Sequence, residues 1–459
     1  MKLNIYKSAI ILPLKESFTQ QNFGAVSIWV KDYLNITKNI KNIFVFCKKK
    51  NKNEKYLTKN VKDIKFKKKV FTNINYIKEI GQSLEKNNIR NVEIHNRPEY
   101  AKYLINKYPK LNIVLIFHND PNFLRDSSSN NSKEFLLKKC KKIIFVSKWL
   151  KAKFFEKLPI NHKNNVDVIY NFVKPIKNFP NKKKIIVFSG KLNSQKGYNI
   201  FGNAIIKVLN KNPEWSALVY GNEPREKFSF KHKRLKINDW ISHSNLLKIY
   251  EKSSISVVNP VWNEPFGRTA MESSSRGCAV ITSKSGGLQE TFFNNLILKK
   301  NNVIELSKLI NKLINNKNLL IKIQKKNFNS IRHKPNPTVK KLDKLKFDEF
   351  HIFPSVFKNK RFKILHIGNF GEKNDHRLFN ISIANKLSLG FIRNNHDVIN
   401  FDYRNFSKKS YFGKYNLDDK IKSIYSNYKP DLILLGHNNI LKRDTLNYIK
   451  TNNSKIGLW

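Results

Sequence analysis

Cysteine and acid are scarce in this chain and no long apolar run is present, and each shortage removes a class of protein. Its three cysteines, Cys47, Cys140 and Cys278, lie far apart, two of them in or beside apolar strands. That spacing is neither a disulfide framework nor a metal site, and buried reduced thiols are the plain reading. No stretch approaches the ~20 apolar residues that span a bilayer. Lys7 interrupts the short apolar start and no small-residue cleavage site follows, so a cytoplasmic protein is expected. Zinc and RNA-binding motifs are missing, as is an Asp-x-Asp pair in a loop suited to metal-dependent transfer.

Only 33 Asp and Glu stand against 88 Lys and Arg, giving a net charge of +55. Such a balance alone invites a nucleic-acid reading. The excess of Lys, Asn, Ile and Phe over Gly, Ala and Arg is, however, what an AT-rich genome produces, and no specific nucleic acid is expected as partner. The positive surface remains real and would be drawn to anionic lipid headgroups, with Lys48–Lys52 and Lys65–Lys69 as candidate clusters. At 459 residues the length suggests about three domains.

What the chain does have is concentrated in Asn259-Pro-Val-Trp-Asn-Glu-Pro-Phe-Gly-Arg-Thr-Ala-Met-Glu272, which runs on through Gly277 to Gly286-Gly287. Pro265 holds Glu264 extended and suits a first helical turn. Gly267 removes the side chain where a ligand approaches the backbone. A helix is predicted over Arg268–Arg276, stopped by Gly277, with a strand at Ala279–Thr282. Amides of Phe266 to Thr269 at its start attract an anion or sugar oxygens. Glu264 is then at the helix mouth, and Glu272 a little over one turn inside.

Upstream, the apolar run Lys183–Ser189 leads into Gly190-Lys-Leu-Asn-Ser-Gln-Lys196-Gly197 and an amphipathic stretch, Tyr198–Leu209. A glycine turn carrying cations between strand and helix is a place to hold a diphosphate. Strand Trp215–Tyr220, helix Asn245–Ser253 and strand Ser254–Asn259 continue the alternation, which argues for a parallel sheet with ligands beyond its carboxyl edge.

Together these segments resemble the signature of family 4 (group 1) retaining glycosyltransferases, whose GT-B fold faces two Rossmann-like domains across a cleft. The resemblance implies that Glu264 contacts the transferred sugar, Glu272 the ribose, and the Phe266-Gly267 backbone the sugar and first phosphate. Gly190, Arg268 and Thr269 complete the donor site. Lys196 matches the family's diphosphate lysine; Lys191 stands where the family has arginine, keeping the charge without the bidentate fork. By the same resemblance the Gln21–Ala25 loop brings Gly24 toward the donor phosphates or the acceptor, and His118, in Phe117-His118-Asn119-Asp120-Pro121, reaches the donor sugar. His95, at another strand end, is a lesser candidate. No cofactor or metal is expected beyond the nucleotide-diphosphate sugar itself.

The expected architecture is α/β: residues 1–171 an acceptor-side Rossmann-like domain, 172–330 the nucleotide-sugar domain, 331–360 a linker, and 361–459 a third, incomplete Rossmann-like unit. In the first domain, strands are predicted at Tyr6–Leu12, Asn42–Cys47, Asn91–His95, Asn112–Phe117, Lys142–Ser147 and Asp167–Tyr170. The last unit, with Pro430-Asp-Leu-Ile-Leu-Leu-Gly436 as its clearest line, resembles the first half of a CgeB-like glycosyltransferase. Gly368-Asn-Phe-Gly371 has too few glycines for a dinucleotide fingerprint. The implied activity is retaining, hexosyl-type transfer to a glycan or lipid-linked acceptor, in cell-envelope polysaccharide or lipopolysaccharide synthesis, with peripheral contact at the inner membrane face. A noncatalytic basic scaffold for anionic lipid or nucleic acid is the alternative.

Overall fold

The computed structural model describes residues 7–20, 24–49, 53–59, 61–63, 72–158, 165–291, 296–330, 334–347, 361–370, 382–409, 416–436, 441–451 and 454–459. Lys65–Lys69, Gly371 and most of the Lys48–Lys52 cluster lie outside them. The chain divides into two compact units, residues 1–348 and 349–459.

The first unit holds two sheets. Strands β1 (Ser8–Ile11), β2 (Ile43–Cys47), β3 (Val61–Asp63), β4 (Asn91–His95), β5 (Asn112–Phe117), β6 (Lys142–Phe145) and β7 (Val166–Val168) pair in the order β3-β2-β1-β4-β5-β6-β7. Strands β8 (Lys183–Ser189), β9 (Ser216–Tyr220), β10 (Leu235–Asn238), β11 (Ser253–Val258), β12 (Ala279–Thr282) and β13 (Leu296–Ile297) follow as β10-β9-β8-β11-β12-β13. Each pairing is parallel. This is the GT-B arrangement of two Rossmann-like sheets. Parallel strands covered on both faces read as unbroken apolar runs, as in β5, where Ile113 to Phe117 are all buried. With little alanine to fill space, aromatics pack the interior: Phe117 stacks on Phe145 at 5.3 Å, and Phe154 closes on both.

Strand order reverses between β1 and β4 in the first sheet and between β8 and β11 in the second. Those switch points leave crevices at the carboxyl edges, where loops diverge to opposite faces. The segments after β1, β4, β5, β8 and β11 all reach one cavity.

Residues 335–347, expected within a linker, instead form a helix, Pro335–Phe347, that docks on the first sheet. Val339 and Leu342 enter that sheet's core, burial of each contributing about 1.5–3 kcal/mol. Asp343 accepts hydrogen bonds from Tyr33 (2.5 Å) and Thr37 (2.8 Å), and Lys346 pairs with Glu93 at 2.6 Å. Val339 and Leu342 fall at helical spacing, but two prolines and abundant lysine disguise it; the prolines sit in the first turn, where their missing N–H is harmless.

The second unit is a four-stranded parallel sheet, ordered β15-β14-β16-β17, of β14 (Lys363–Gly368), β15 (Asp397–Asp402), β16 (Leu432–Leu435) and β17 (Lys455–Leu458). Helices Ile383–Arg393, Leu417–Tyr428 and Arg443–Thr451 alternate with the strands, and Leu365, Ile367, Ile421, Ile433 and Ile449 form its core.

Candidate functional site

The cavity between the two sheets of the first unit measures about 540 Å³, within the range of small-ligand sites. Six cations, Lys15, Arg97, Lys191, Lys196, Arg225 and Arg268, line it with two carboxylates, Glu16 and Glu264. Such a wall favours an anionic ligand.

On the second sheet, β8 ends at Gly190 and the turn tightens into Ser194–Lys196, where Asn193 Oδ1 accepts from the Lys196 amide at 3.0 Å. Gly197 follows with φ 76°, and a Cβ there would lie 2.1 Å from the Asn259 carbonyl, so glycine is required for the β8 and β11 loops to meet. That contact sets Lys196 beside Glu264: ammonium and carboxylate are 2.6 Å apart. Trp262 Nε1 donates to the same Glu264 oxygen at 3.2 Å, and the Lys196 ammonium lies 4.9 Å from the Trp262 ring centre.

After Pro265, Gly267 adopts φ 93° and opens helix Arg268–Ser275 with no side-chain cap, leaving first-turn amides to a ligand. The helix ends as expected, with Gly277 at φ 77° before β12. Phe266, Gly267 and Arg268 line the cavity.

Glu272 is 4% exposed and lies outside the cavity lining. Its Oε1 accepts from Arg268 Nε at 2.5 Å and from His243 Nε2 at 2.8 Å. Burial alone would raise its pKa, but the Arg268 guanidinium and His243 outweigh that and hold the carboxyl down at about 2. Arg268 also pairs with Asp32, from helix Ala25–Leu34 on the first sheet, so one guanidinium ties Glu272 to the opposite domain.

The first sheet contributes His118, which lines the cavity behind β5. Asn96, at φ 54° after β4, accepts from the His118 and Asn119 amides at 2.7 and 3.0 Å. His95 is fully buried and faces His118 rather than the cavity, its Nδ1 2.9 Å from His118 Nε2. Gly24 and Thr269 do not line the cavity, nor does Gly190. Gly24 N-caps its helix, and Glu16 accepts from the amide of Ser27 at 3.0 Å, placing a carboxylate beside the loop expected to approach the donor phosphates or the acceptor. The domains also meet where Glu290 accepts from the Lys148 and Trp149 amides at 2.8 and 2.9 Å.

Sequence reasoning missed Arg225, Trp262, Asn96, Arg97 and Glu16 in the cavity wall, and His243 and Asp32 behind it. Trp262 lies inside the Asn259–Glu272 signature and Arg225 just past the Gly221–Pro224 turn, so both were within reach. For His243 and Asp32 there was no local signal.

Residues 171–329 match the family described as glycosyl transferases group 1. Over 247 residues the chain is 22% identical to spore coat protein SA of Bacillus subtilis, covering 47% of this chain and 65% of that one, just short of two thirds of its length. It is 29% identical over 316 residues to an uncharacterised glycosyltransferase of Methanocaldococcus jannaschii, covering 57% of this chain and 84% of the relative. HepE from Anabaena, solved in complex with UDP and glucose, superposes with a TM-score of 0.57 at 14% identity over 74% of this chain and 99% of its own, a likeness of fold. The family match and the two relatives support a group 1 glycosyltransferase over the segments they cover, and the structural likeness supports the fold.

Proposed function

We propose that the first unit transfers a glycosyl group from a nucleotide-diphosphate sugar to a hydroxyl acceptor, with retention of configuration. The carrying observation is the Lys196–Glu264 pair at the mouth of an uncapped helix start, both at switch-point strand ends and opposite His118. The diphosphate would take Lys196, Lys191 and the amides of Gly267 to Thr269, releasing Glu264 to accept from hydroxyls of the transferred sugar. Glu272 would serve the ribose once Arg268 yields.

Negative charge grows on the departing diphosphate, so fixed cations and amides lower the barrier more than they stabilise the bound donor. In this reading side-chain cations rather than a metal ion meet that charge. Glu264 and Glu272 serve different parts of the donor, unlike the paired carboxylates of glycoside hydrolysis. The acceptor would be a glycan or lipid-linked chain in cell-envelope polysaccharide or lipopolysaccharide assembly, handled in the cytoplasm with the basic surface near anionic lipid. Relatives named spore coat protein SA and protein CapJ are in keeping with polysaccharide work. Among the described residues no helix is long and apolar enough to cross a membrane.

The test is a thermal-shift screen against UDP, GDP, ADP, CMP and dTDP with Lys196→Ala alongside. Stabilisation of the wild type by one nucleotide and loss of it in the variant is expected; equal responses would remove Lys196 from the donor site.

A further inference from the structure

Behind His118 runs a line of buried polar groups that the proposed reaction does not use. His118 Nε2 lies 2.9 Å from His95 Nδ1, His95 Nε2 lies 2.9 Å from Glu93 Oε1, and Glu93 Oε2 pairs with the Lys346 ammonium at 2.6 Å. His95, Glu93 and Lys346 are each at most 3% exposed. The rings are fixed by packing: His95 and His118 stack with centroids 5.1 Å apart, and Trp29 sets its edge against them at 5.2 and 5.7 Å.

We propose that Glu93, His95 and Lys346 are positioning residues that hold His118 as the neutral Nε2–H tautomer, so that its Nδ1 is a hydrogen-bond acceptor for a hydroxyl of the ligand.

The proton positions follow one from the next along this line. Burial alone would raise the Glu93 carboxyl, but the Lys346 ammonium and His95 hold it down at about 2, so it is ionised and only accepts. His95 Nε2 therefore carries a hydrogen. Lys346 already balances the Glu93 charge, so a second proton on His95 would leave an uncompensated buried cation, and His95 stays neutral. Its Nδ1 is then an acceptor, and the hydrogen between the two rings belongs to His118 Nε2. Burial pushes the His118 pKa well below its ordinary 6.5, which keeps that ring neutral too. The charged groups facing it are Glu93, which opposes the shift, and Arg268, which adds to it. The last nitrogen, Nδ1, offers a lone pair. Lys346 comes from the helix that returns after the second sheet, so the tautomer depends on that helix being docked.

The nature of the hydroxyl rests on the transferase reading; the proton pattern does not. Imidazole ¹⁵N spectra of the full chain, with His118→Gln and His95→Gln for assignment, read it directly. The wild type is expected to show His118 neutral and protonated at Nε2 from pH 6 to 8. In Glu93→Gln the Lys346 ammonium, a donor only, takes the amide oxygen, so the amide nitrogen donates to His95 and both tautomers flip; should that variant not fold, the wild-type spectrum alone decides. Transfer should then fall about tenfold or more in kcat/KM, the scale of one lost hydrogen bond, with nucleoside-diphosphate affinity unchanged. An Nδ1–H signal for wild-type His118, or no flip in Glu93→Gln, overturns the proposal and leaves the transferase reading standing. The expected tautomers without any nucleotide binding would instead sink the transferase reading and keep the proton pattern.

Discussion

The Lys196 ammonium and the Glu264 carboxylate lie 2.6 Å apart, and in the proposed reaction each serves a different part of a nucleotide sugar. A bound diphosphate must compete with Glu264 for that lysine. Glu264→Gln should therefore bind nucleoside diphosphate at least as tightly as the wild type while transfer falls by about two orders of magnitude or more, the sugar having lost its carboxylate. Titration calorimetry beside a transfer assay checks both halves, and a near-normal rate would remove Glu264 from the reaction.

Arg268 carries the link between Glu272 and Asp32. Replacing it with Met leaves Glu272, 4% exposed, with His243 alone, and breaking a buried pair in this way costs about 3–5 kcal/mol. Asp32→Asn, which spares the Glu272 contact, should cost much less. Urea unfolding of the two variants is the comparison; equal losses would place the stabilisation in the cross-domain arm.

Acid should unfold the first unit early. Glu93 and Glu272 are both held at about 2 against an ordinary 4.5. The unfolded chain therefore binds their protons first, and the stability they contribute is full above about pH 4.5 and is lost as pH falls toward 2. His118, kept neutral by burial, adds an earlier loss that begins below its ordinary 6.5. Melting temperature against pH should fall more gently below pH 4.5 in Glu93→Gln/Lys346→Met; an unchanged slope would show that Glu93 is not ionised in the fold.

The returning helix is part of the first unit rather than a tether. Leu342→Ala should destabilise by about 2–5 kcal/mol, as cavities in closed cores do. A chain ending at Asp348 should keep nucleotide binding, whereas one ending at Ser330 should lose cooperative unfolding.

Where a stretch of chain carries its own constraint, the sequence was enough. Strands β4, β5, β8 and β12 begin and end where their apolar runs do, and the helix at Arg268 starts and stops at Gly267 and Gly277 because those positions need positive φ. His118 is legible as a polar residue at a strand end, and Lys196 by its place between Gly190 and Gly197 in the loop before a helix. What stayed hidden depends on residues far apart in sequence. Glu93 and Lys346 meet only after two sheets have folded, Asp32 reaches Arg268 across the cleft, and His243 reads as an ordinary first-turn residue until Glu272 is beside it. The helix Pro335–Phe347 was missed because its short apolar face is embedded in lysine.

The account rests on the cavity between the two sheets being a nucleotide-sugar site. The direct measurement is calorimetric binding of UDP and its competitors to the wild type and Lys196→Ala at two salt concentrations. One nucleotide binding the wild type at both, and at least about tenfold more weakly after the loss of a charged phosphate contact, is the predicted result. Binding that is the same for every nucleotide, collapses with salt and ignores Lys196 would mean that the basic surface, not this cleft, does the work.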